Sequence, residues 1–102
     1  MSGDAGAAQT IQTSGAWQIV IKASAAKELA SLGNKQDRRS IVQAIAALAQ
    51  NPRPPGCEKL SGQTDLYRVR TGSFRVVYEI IDLHVVITVI KVGHRKNIYR
   101  KL

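Results

Sequence analysis

Residues 51–56 divide this chain into two parts that differ in hydrophobic periodicity. The segment reads Asn-Pro-Arg-Pro-Pro-Gly, and proline cannot continue a helix because it lacks the backbone N–H and clashes with the preceding turn. Before the segment, apolar residues recur at helical spacing, and after it they alternate as they do in β-strands. A chain with this pattern is therefore limited to folds in which the helices precede most of the strands.

The first part predicts one strand followed by two helices. Residues 17–22 alternate in the period-two pattern of a half-buried strand. Ser24 and Asn34 each offer a side-chain oxygen that can cap a helix, and Gly33 separates the two helices. The apolar positions of these helices are Ala25, Leu29, Leu32, Ile41, Val42, Ile45, Leu48 and Ala49. Because the break between them is so short, we expect an antiparallel helical hairpin.

The second part predicts three strands. In the first strand, Tyr67 and Val69 face one side of the sheet, and Arg68 and Arg70 face the other. In the second strand, one face carries Phe74, Val76, Tyr78 and Ile80, and the other carries Arg75, Val77 and Glu79. The third strand, residues 85–92, is rich in β-branched residues and is expected to lie centrally in the sheet. We therefore predict an α+β fold. It consists of an N-terminal strand, the antiparallel helical hairpin packed on one face of the sheet, a three-strand antiparallel meander that completes one sheet, and a basic C-terminal tail.

The turn between the first two strands of the meander decides which residues face each other. A two-residue turn at Gly72-Ser73 pairs Arg70 with Arg75 and keeps the arginines on one side, whereas a three-residue loop would mix the two faces. Like charges directly opposite one another destabilise a sheet. An anion between Arg70 and Arg75 would reduce this repulsion, and the planar fork of arginine suits phosphate oxygens.

The charge of the chain also indicates an anionic partner. The formal net charge is +8, and residues 52–102 hold ten Lys/Arg against four Asp/Glu. Such a basic half is typical of proteins that bind nucleic acid, an anionic membrane surface or an acidic protein. Two alternatives stay open: a solvated surface without a ligand, and neutralisation of some arginines by Glu79 and Asp65.

Other classes of function are disfavoured. The single cysteine, Cys57, provides neither a disulfide framework nor a zinc site, and no paired carboxylates or serine or cysteine nucleophile accompany the arginines. We expect residues 1–15 to be a disordered extension, because they hold few large apolar groups, and residues 16–102 to form a single domain. The apolar runs are too short to span a membrane and no secretory signal is recognisable, so we expect a cytoplasmic protein.

Four segments of the chain resemble the RelE/ParE toxins of bacterial type II toxin–antitoxin systems. They are residues 52–60, 66–70, 74–78 and 92–100. The similarity covers about residues 17–101, and the predicted order of elements agrees with the fold of that family. For the RelE branch, the resemblance implies an mRNA interferase, which is a ribosome-dependent endoribonuclease that cuts mRNA in the ribosomal A site and inhibits translation. It implies no metal and no cofactor.

The resemblance also implies which residues act. In this family the 2′-hydroxyl of the substrate attacks its own 3′ phosphate and leaves a 2′,3′-cyclic end. The family's catalytic positions correspond here to Arg68, Arg70, Arg75, Arg95 and Tyr99, and we expect further substrate contacts from Lys59, His94, Lys96 and Arg100. Arg75 would bind the scissile phosphate and stabilise the transition state.

Two positions depart from well-known members of the family, which carry lysine where this chain has Arg68 and Arg70. Arginine effectively cannot lose its proton, so we assign both residues to substrate positioning and charge stabilisation. Tyr99 is the expected base toward the 2′-hydroxyl, because surrounding positive charge favours its ionised form. Arg95, or less readily His94, would assist the leaving 5′ oxygen.

Two other functions stay open. ParE-type toxins share the fold and poison DNA gyrase, but they usually lack this full set of basic residues and tyrosine. A non-catalytic nucleic-acid-binding module needs only the basic sheet. As a toxin, the protein is expected to bind the ribosome, mRNA and a cognate antitoxin, acidic or amphipathic, that wraps the sheet or the helices. Operator DNA would be contacted only through the antitoxin complex.

Overall fold

The computed structural model describes residues 9–11, 15–60 and 65–94. The elements in chain order are β1 (Gln9–Ile11), β2 (Gln18–Ile21), α1 (Ala23–Ala30), α2 (Lys35–Ala47), β3 (Glu58–Lys59), β4 (Leu66–Thr71), β5 (Phe74–Ile81), a 3₁₀ turn (Asp82–His84) and β6 (Val86–His94). The strands form one sheet in the order β1-β2-β6-β5-β4-β3, in which β2 and β6 run parallel and all other neighbours run antiparallel. The predicted α+β fold is confirmed, with β4, β5 and β6 as the meander and β6 in a central position.

The two helices begin in different ways: a side chain caps α2, whereas α1 follows directly from the sheet. Asn34 caps α2 as predicted, because its Oδ1 accepts a hydrogen bond from the backbone N–H three residues later at 3.0 Å. The predicted cap of α1 is wrong, since α1 begins at Ala23 and Ser24 lies in its first turn. The N–H of Lys22 still donates to the carbonyl of Val89 in β6 at 2.9 Å, so the chain passes from the sheet directly into the helix. No helix in the described part of the chain is long and apolar enough to cross a membrane.

The core lies between the two helices and one face of the sheet. Ile19 and Ile87 of the parallel strand pair and Ile45 of α2 are fully buried there. Tyr67 and Tyr78 stack on each other with ring centroids 6.0 Å apart, and both are buried. These tyrosines therefore belong to the core, as the alternation of β4 and β5 predicts. Apolar burial, worth about 25 cal/mol for each Å² removed from water, stabilises the sheet that carries the arginines.

The proline-rich segment after α2 is fastened to the sheet by tyrosine and arginine side chains. The buried hydroxyl of Tyr78 donates to the carbonyl of Pro52 at 2.8 Å, and burial raises the pKa of this phenol, so that it stays a donor. Arg53 donates from Nε to the hydroxyl of Tyr67 at 3.1 Å and from Nη2 to Asp82 at 3.2 Å. These contacts hold the segment between α2 and β3 against the sheet.

Two short strands at the sheet edges were not predicted. β1 pairs with β2 over three residues, so the expected disorder of residues 1–15 does not hold at residues 9–11. Residues 1–8 and 12–14 lie outside the described part of the chain. β3 pairs with β4 over only two residues. A segment of two or three residues is too short to show an alternating pattern.

A residue with a strained backbone, Val85, precedes β6. Its φ is +56°, in the left-handed region that a β-branched residue rarely adopts. We expect Val85→Asn to raise the free energy of unfolding by about 1 kcal/mol in urea titrations, because asparagine tolerates this conformation. Leu83→Asn is the control, since Leu83 is 87% exposed in the same turn but has no positive φ. An equal gain in both variants would assign the effect to lost apolar surface and not to the backbone.

Candidate nucleic-acid interface

The hairpin of β4 and β5 carries three arginines on the side of the sheet away from the helices. A two-residue turn joins the strands, and φ is +64° at Gly72, which suits the first central position of a type II′ turn. The register pairs Arg70 with Arg75 and Arg68 with Val77, as predicted. We call this side of the hairpin, with Arg68, Arg70 and Arg75, the arginine face.

Strand β6 continues the arginine face beyond β5. Arg75 pairs with Gly93, which has no side chain to place beside the arginine, and Val77 pairs with Lys91. The register of β6 against β5 shifts here and leaves Ile90 as an extra residue. At this bulge Lys91 pairs with Val77, and its Nζ forms a salt bridge with Glu28 of α1. Val77 is fully buried although it lies outside the core cluster, so the arginine face has an apolar element beneath its charges.

The three arginines are close enough to affect one another. Burial lowers the pKa of Arg68, and the charges of Arg75 and Arg70 lower it further. Nε of Arg75 is buried and has no hydrogen-bond acceptor among the described residues. A buried donor without an acceptor costs about 1–3 kcal/mol. An anion bound between Arg70 and Arg75 would supply an acceptor and reduce the repulsion at the same time.

Two carboxylates partly offset the positive charge. Glu58 of β3 faces Arg68 and forms a salt bridge with it. Glu28 of α1 accepts from Nζ of Lys91 at 2.7 Å and from the backbone N–H of Val92 at 2.9 Å. This N–H lies on the edge of β6 beyond the last residue paired with β2, so Glu28 satisfies a donor that the sheet leaves unpaired.

The acids named from the sequence were Asp65 and Glu79, and the structure adds Glu58 to them. Oδ1 of Asp65 lies 3.9 Å from Nζ of Lys59, whereas the carboxylate in a salt bridge with Arg68 is that of Glu58. Within residues 9–11, 15–60 and 65–94, no group of three or more His, Cys, Asp or Glu side chains could hold a metal ion. Glu79 lies two residues after Val77 in β5, so a further carboxylate is on the arginine side of the sheet.

Comparison with known proteins identifies the family to which the chain belongs. Residues 19–99 match the family described as the ParE toxin of type II toxin–antitoxin systems, parDE. The chain belongs to the RelE/ParE toxin superfamily. A RelE-like toxin protein of Escherichia coli is 32% identical over 83 residues, which are 79% of this chain and 85% of that relative. The mRNA interferase toxin RelE of the same species is 35% identical over 75 residues, 72% of this chain and 77% of its own.

Solved structures of RelE toxins have the same fold as this superfamily member. The archaeal RelE–RelB complex from Pyrococcus horikoshii matches with a TM-score of 0.70 at 30% identity, over 78% of this chain and 96% of the matched one. A variant of the E. coli toxin RelE in the free state matches with a TM-score of 0.67 at 32% identity, over 78% and 83% of the two chains. The fold described above is thus found in RelE with RelB and in RelE alone.

The RelE-like site predicted from the sequence lies partly within the described residues. Its three strand arginines, Arg68, Arg70 and Arg75, are brought together on the arginine face. The other positions of the site fall in residues 95–100, outside the described part of the chain, and their roles stay predictions: Arg95, Lys96, Tyr99 and Arg100.

Two of the predicted substrate-binding residues lie on the other side of the sheet. His94 pairs with Phe74, which packs against the core, and the two rings meet edge to face with centroids 5.6 Å apart. Lys59 pairs with the buried Tyr67. Each is one residue away from a position on the arginine side, because successive residues of a strand point to opposite faces. The structure therefore does not bring His94 or Lys59 to the arginine face.

Proposed function

We propose that this protein is the toxin of a type II toxin–antitoxin system and acts as a ribosome-dependent endoribonuclease that cleaves mRNA in the ribosomal A site. The observation that carries the proposal is the facing pair Arg70 and Arg75, in which Nε of Arg75 is buried without an acceptor among the described residues. A phosphodiester supplies both the acceptor and the negative charge that this pair lacks. The E. coli relative named mRNA interferase toxin RelE supports mRNA as the substrate.

In the proposed reaction, the 2′-hydroxyl of an A-site nucleotide attacks the adjacent 3′ phosphate. The bond from the 2′ oxygen to phosphorus forms, the bond to the 5′ oxygen breaks, and a 2′,3′-cyclic phosphate remains on the upstream fragment. Arg75 would bind a non-bridging oxygen and stabilise the pentacoordinate transition state, while Arg68 and Arg70 position the substrate and offset its charge. Because guanidinium groups stabilise the developing charge, the proposed step uses no metal ion.

Two residues outside the described part of the chain complete the proposed reaction. Tyr99 would accept the proton of the 2′-hydroxyl as general base, a role that neither Arg68 nor Arg70 can take because arginine does not lose its proton. Arg95 would stabilise the negative charge on the leaving 5′ oxygen, which takes its proton from water. His94 has no part in this scheme, since β6 turns it to the core side of the sheet.

We infer that the protein partner is a cognate antitoxin, as in the RelBE toxin–antitoxin complex of E. coli. A groove of about 400 Å³ between α1 and α2 combines the apolar Leu29 and Val42 with the basic Lys35, Arg38 and Arg39. An amphipathic antitoxin segment with acidic flanks fits this combination. The complex would contact operator DNA, and the released toxin would act on ribosomes and mRNA in the cytoplasm.

Inhibition of DNA gyrase is the alternative function within the superfamily, because the family matched by residues 19–99 is described as ParE. Cleavage of RNA is favoured by the complete set of basic residues and tyrosine at the five catalytic positions. Both curated relatives compared above also carry the name RelE. A non-catalytic binding module is the third possibility, for which the arginine face alone suffices.

Primer extension on an mRNA translated in a purified system tests the proposal. We expect discrete cuts at A-site codons only when ribosomes are present, with a 2′,3′-cyclic phosphate on the upstream fragment. An mRNA with a 2′-deoxynucleotide at the attacked position should resist cleavage there, because the nucleophile is missing. Uninterrupted translation without cuts would contradict the proposal. Loss of supercoiling by purified gyrase would then assign the ParE function, and RNA binding alone would assign the non-catalytic module.

A further inference from the structure

The edge strand β3 places a carboxylate within the arginine face. Glu58 lies directly opposite Arg68 in the register, and its side chain forms a salt bridge with Nη2 of that arginine. The Arg68 side chain is only 15% exposed, whereas the Glu58 side chain is 50% exposed. The arginine is thus held by its surroundings, while the carboxylate has water on one side into which it can turn.

The position of Glu58 matches the chemistry of the proposed ligand. Arg68 is partly desolvated and stands beside Arg70 and Arg75, an arrangement that destabilises its charge unless an anionic oxygen is near. In the structure Glu58 provides that oxygen. A phosphate group of RNA offers the same kind of acceptor to the same guanidinium group, with a geometry that arginine binds well.

We propose that Glu58 competes with RNA phosphate for Arg68 and thereby sets the affinity of the arginine face for RNA. This inference rests on the proposed function, because it requires that the arginine face bind RNA. Competition is an exchange of one ion pair for another and involves no covalent step. Glu58 belongs to a strand of two residues at the sheet edge, so its side chain can leave Arg68 without disturbing the core.

Binding of a short single-stranded RNA with 2′-O-methyl groups throughout, which cannot be cleaved, tests the proposal by fluorescence anisotropy. We expect Glu58→Gln to bind this RNA about threefold to fivefold more tightly than the wild type, because the phosphate no longer displaces a carboxylate. Asp65→Asn is the matched control. It also removes one negative charge near β3, but Asp65 pairs with Lys59 on the other side of the sheet. We expect its affinity to stay within about twofold of the wild type.

A double-mutant cycle separates competition from a general charge effect. In an Arg68→Gln background, Glu58→Gln should no longer increase RNA affinity, because the contested guanidinium group is gone. Should Glu58→Gln fail to fold, Glu58→Asp takes its place with the same expected direction, since the shorter side chain withdraws the carboxylate from Arg68. Thermal unfolding of each variant establishes that it is folded before binding is measured.

Three outcomes would overturn the inference. If Glu58→Gln binds no more tightly than Asp65→Asn, or if its gain persists without Arg68, the carboxylate does not compete for this arginine. In either case RNA binding by the wild type would leave the proposed function intact. If neither the wild type nor Glu58→Gln binds the RNA, the inference also falls, and the primer-extension experiment decides the proposed function separately.

Discussion

Replacement of Arg75 by alanine is expected to lower the rate of mRNA cleavage on the ribosome by about 10²–10³-fold. Arg75 is the central arginine of the arginine face, paired with Arg70 on one side and with Gly93 on the other. Its Nε is buried, and none of the described residues accepts a hydrogen bond from it. Single-turnover cleavage of an A-site codon measures the effect on the chemical step without the contribution of product release.

Two further variants show whether the loss comes from the geometry of the guanidinium group. Arg75→Lys keeps the charge but not the planar fork, so we expect a rate between those of the wild type and Arg75→Ala. Lys27→Ala removes an exposed charge from α1, on the helical side of the sheet, and should cleave at the wild-type rate. A wild-type rate for Arg75→Ala would show that the arginine face does not hold the scissile phosphate.

Tyr99→Phe is expected to reduce cleavage by about 10²–10⁴-fold, because the proposed general base is removed while the ring is kept. The position of Tyr99 lies outside the described residues, and its role comes from the resemblance to RelE toxins. The wild-type rate should rise with pH over the range in which a phenol loses its proton, and this rise should be absent in the variant. Single-turnover rates across that pH range measure both effects.

A matched tyrosine variant controls for the loss of a hydroxyl group. The hydroxyl of Tyr67 accepts a hydrogen bond from Arg53 on the core side of the sheet and has no role in the proposed reaction. Tyr67→Phe should therefore cleave at the wild-type rate even if its stability decreases. Full activity of Tyr99→Phe would show that another group takes the proton of the 2′-hydroxyl.

The hairpin of the arginine face could be predicted from the sequence because its alternation is regular on both strands. Only one turn length keeps Val69 opposite Val76 on the core side and Arg70 opposite Arg75 on the other side, and the structure has this register. The cap at Asn34 was predictable for a similar reason, since its hydrogen bond is local. The start of α1 was not predictable, because the pairing of β2 with β6 determines it.

The features of the candidate site that were not predicted depend on interactions that leave no periodic pattern in the sequence. Glu58 belongs to a strand of only two residues, and the pairing of Lys91 with Val77 depends on a bulge at Ile90. His94 and Lys59 were expected to contact the substrate, and the structure places both on the core side of the sheet. Residues adjacent in a strand point to opposite faces, so a basic residue that neighbours the arginine side in sequence can lie on the core side, as His94 and Lys59 do.

The parallel pairing of β2 with β6 joins residues 18–21 to residues 86–89, near the two ends of the described chain. During synthesis, β2 emerges long before its partner, and the sheet has no central strand until β6 is complete. Pairing across so long a stretch of chain is slow compared with the formation of the two helices. The hairpin that carries the arginine face can therefore form before the rest of its sheet, but its support by the parallel strand pair exists only after residues 86–89 have been translated.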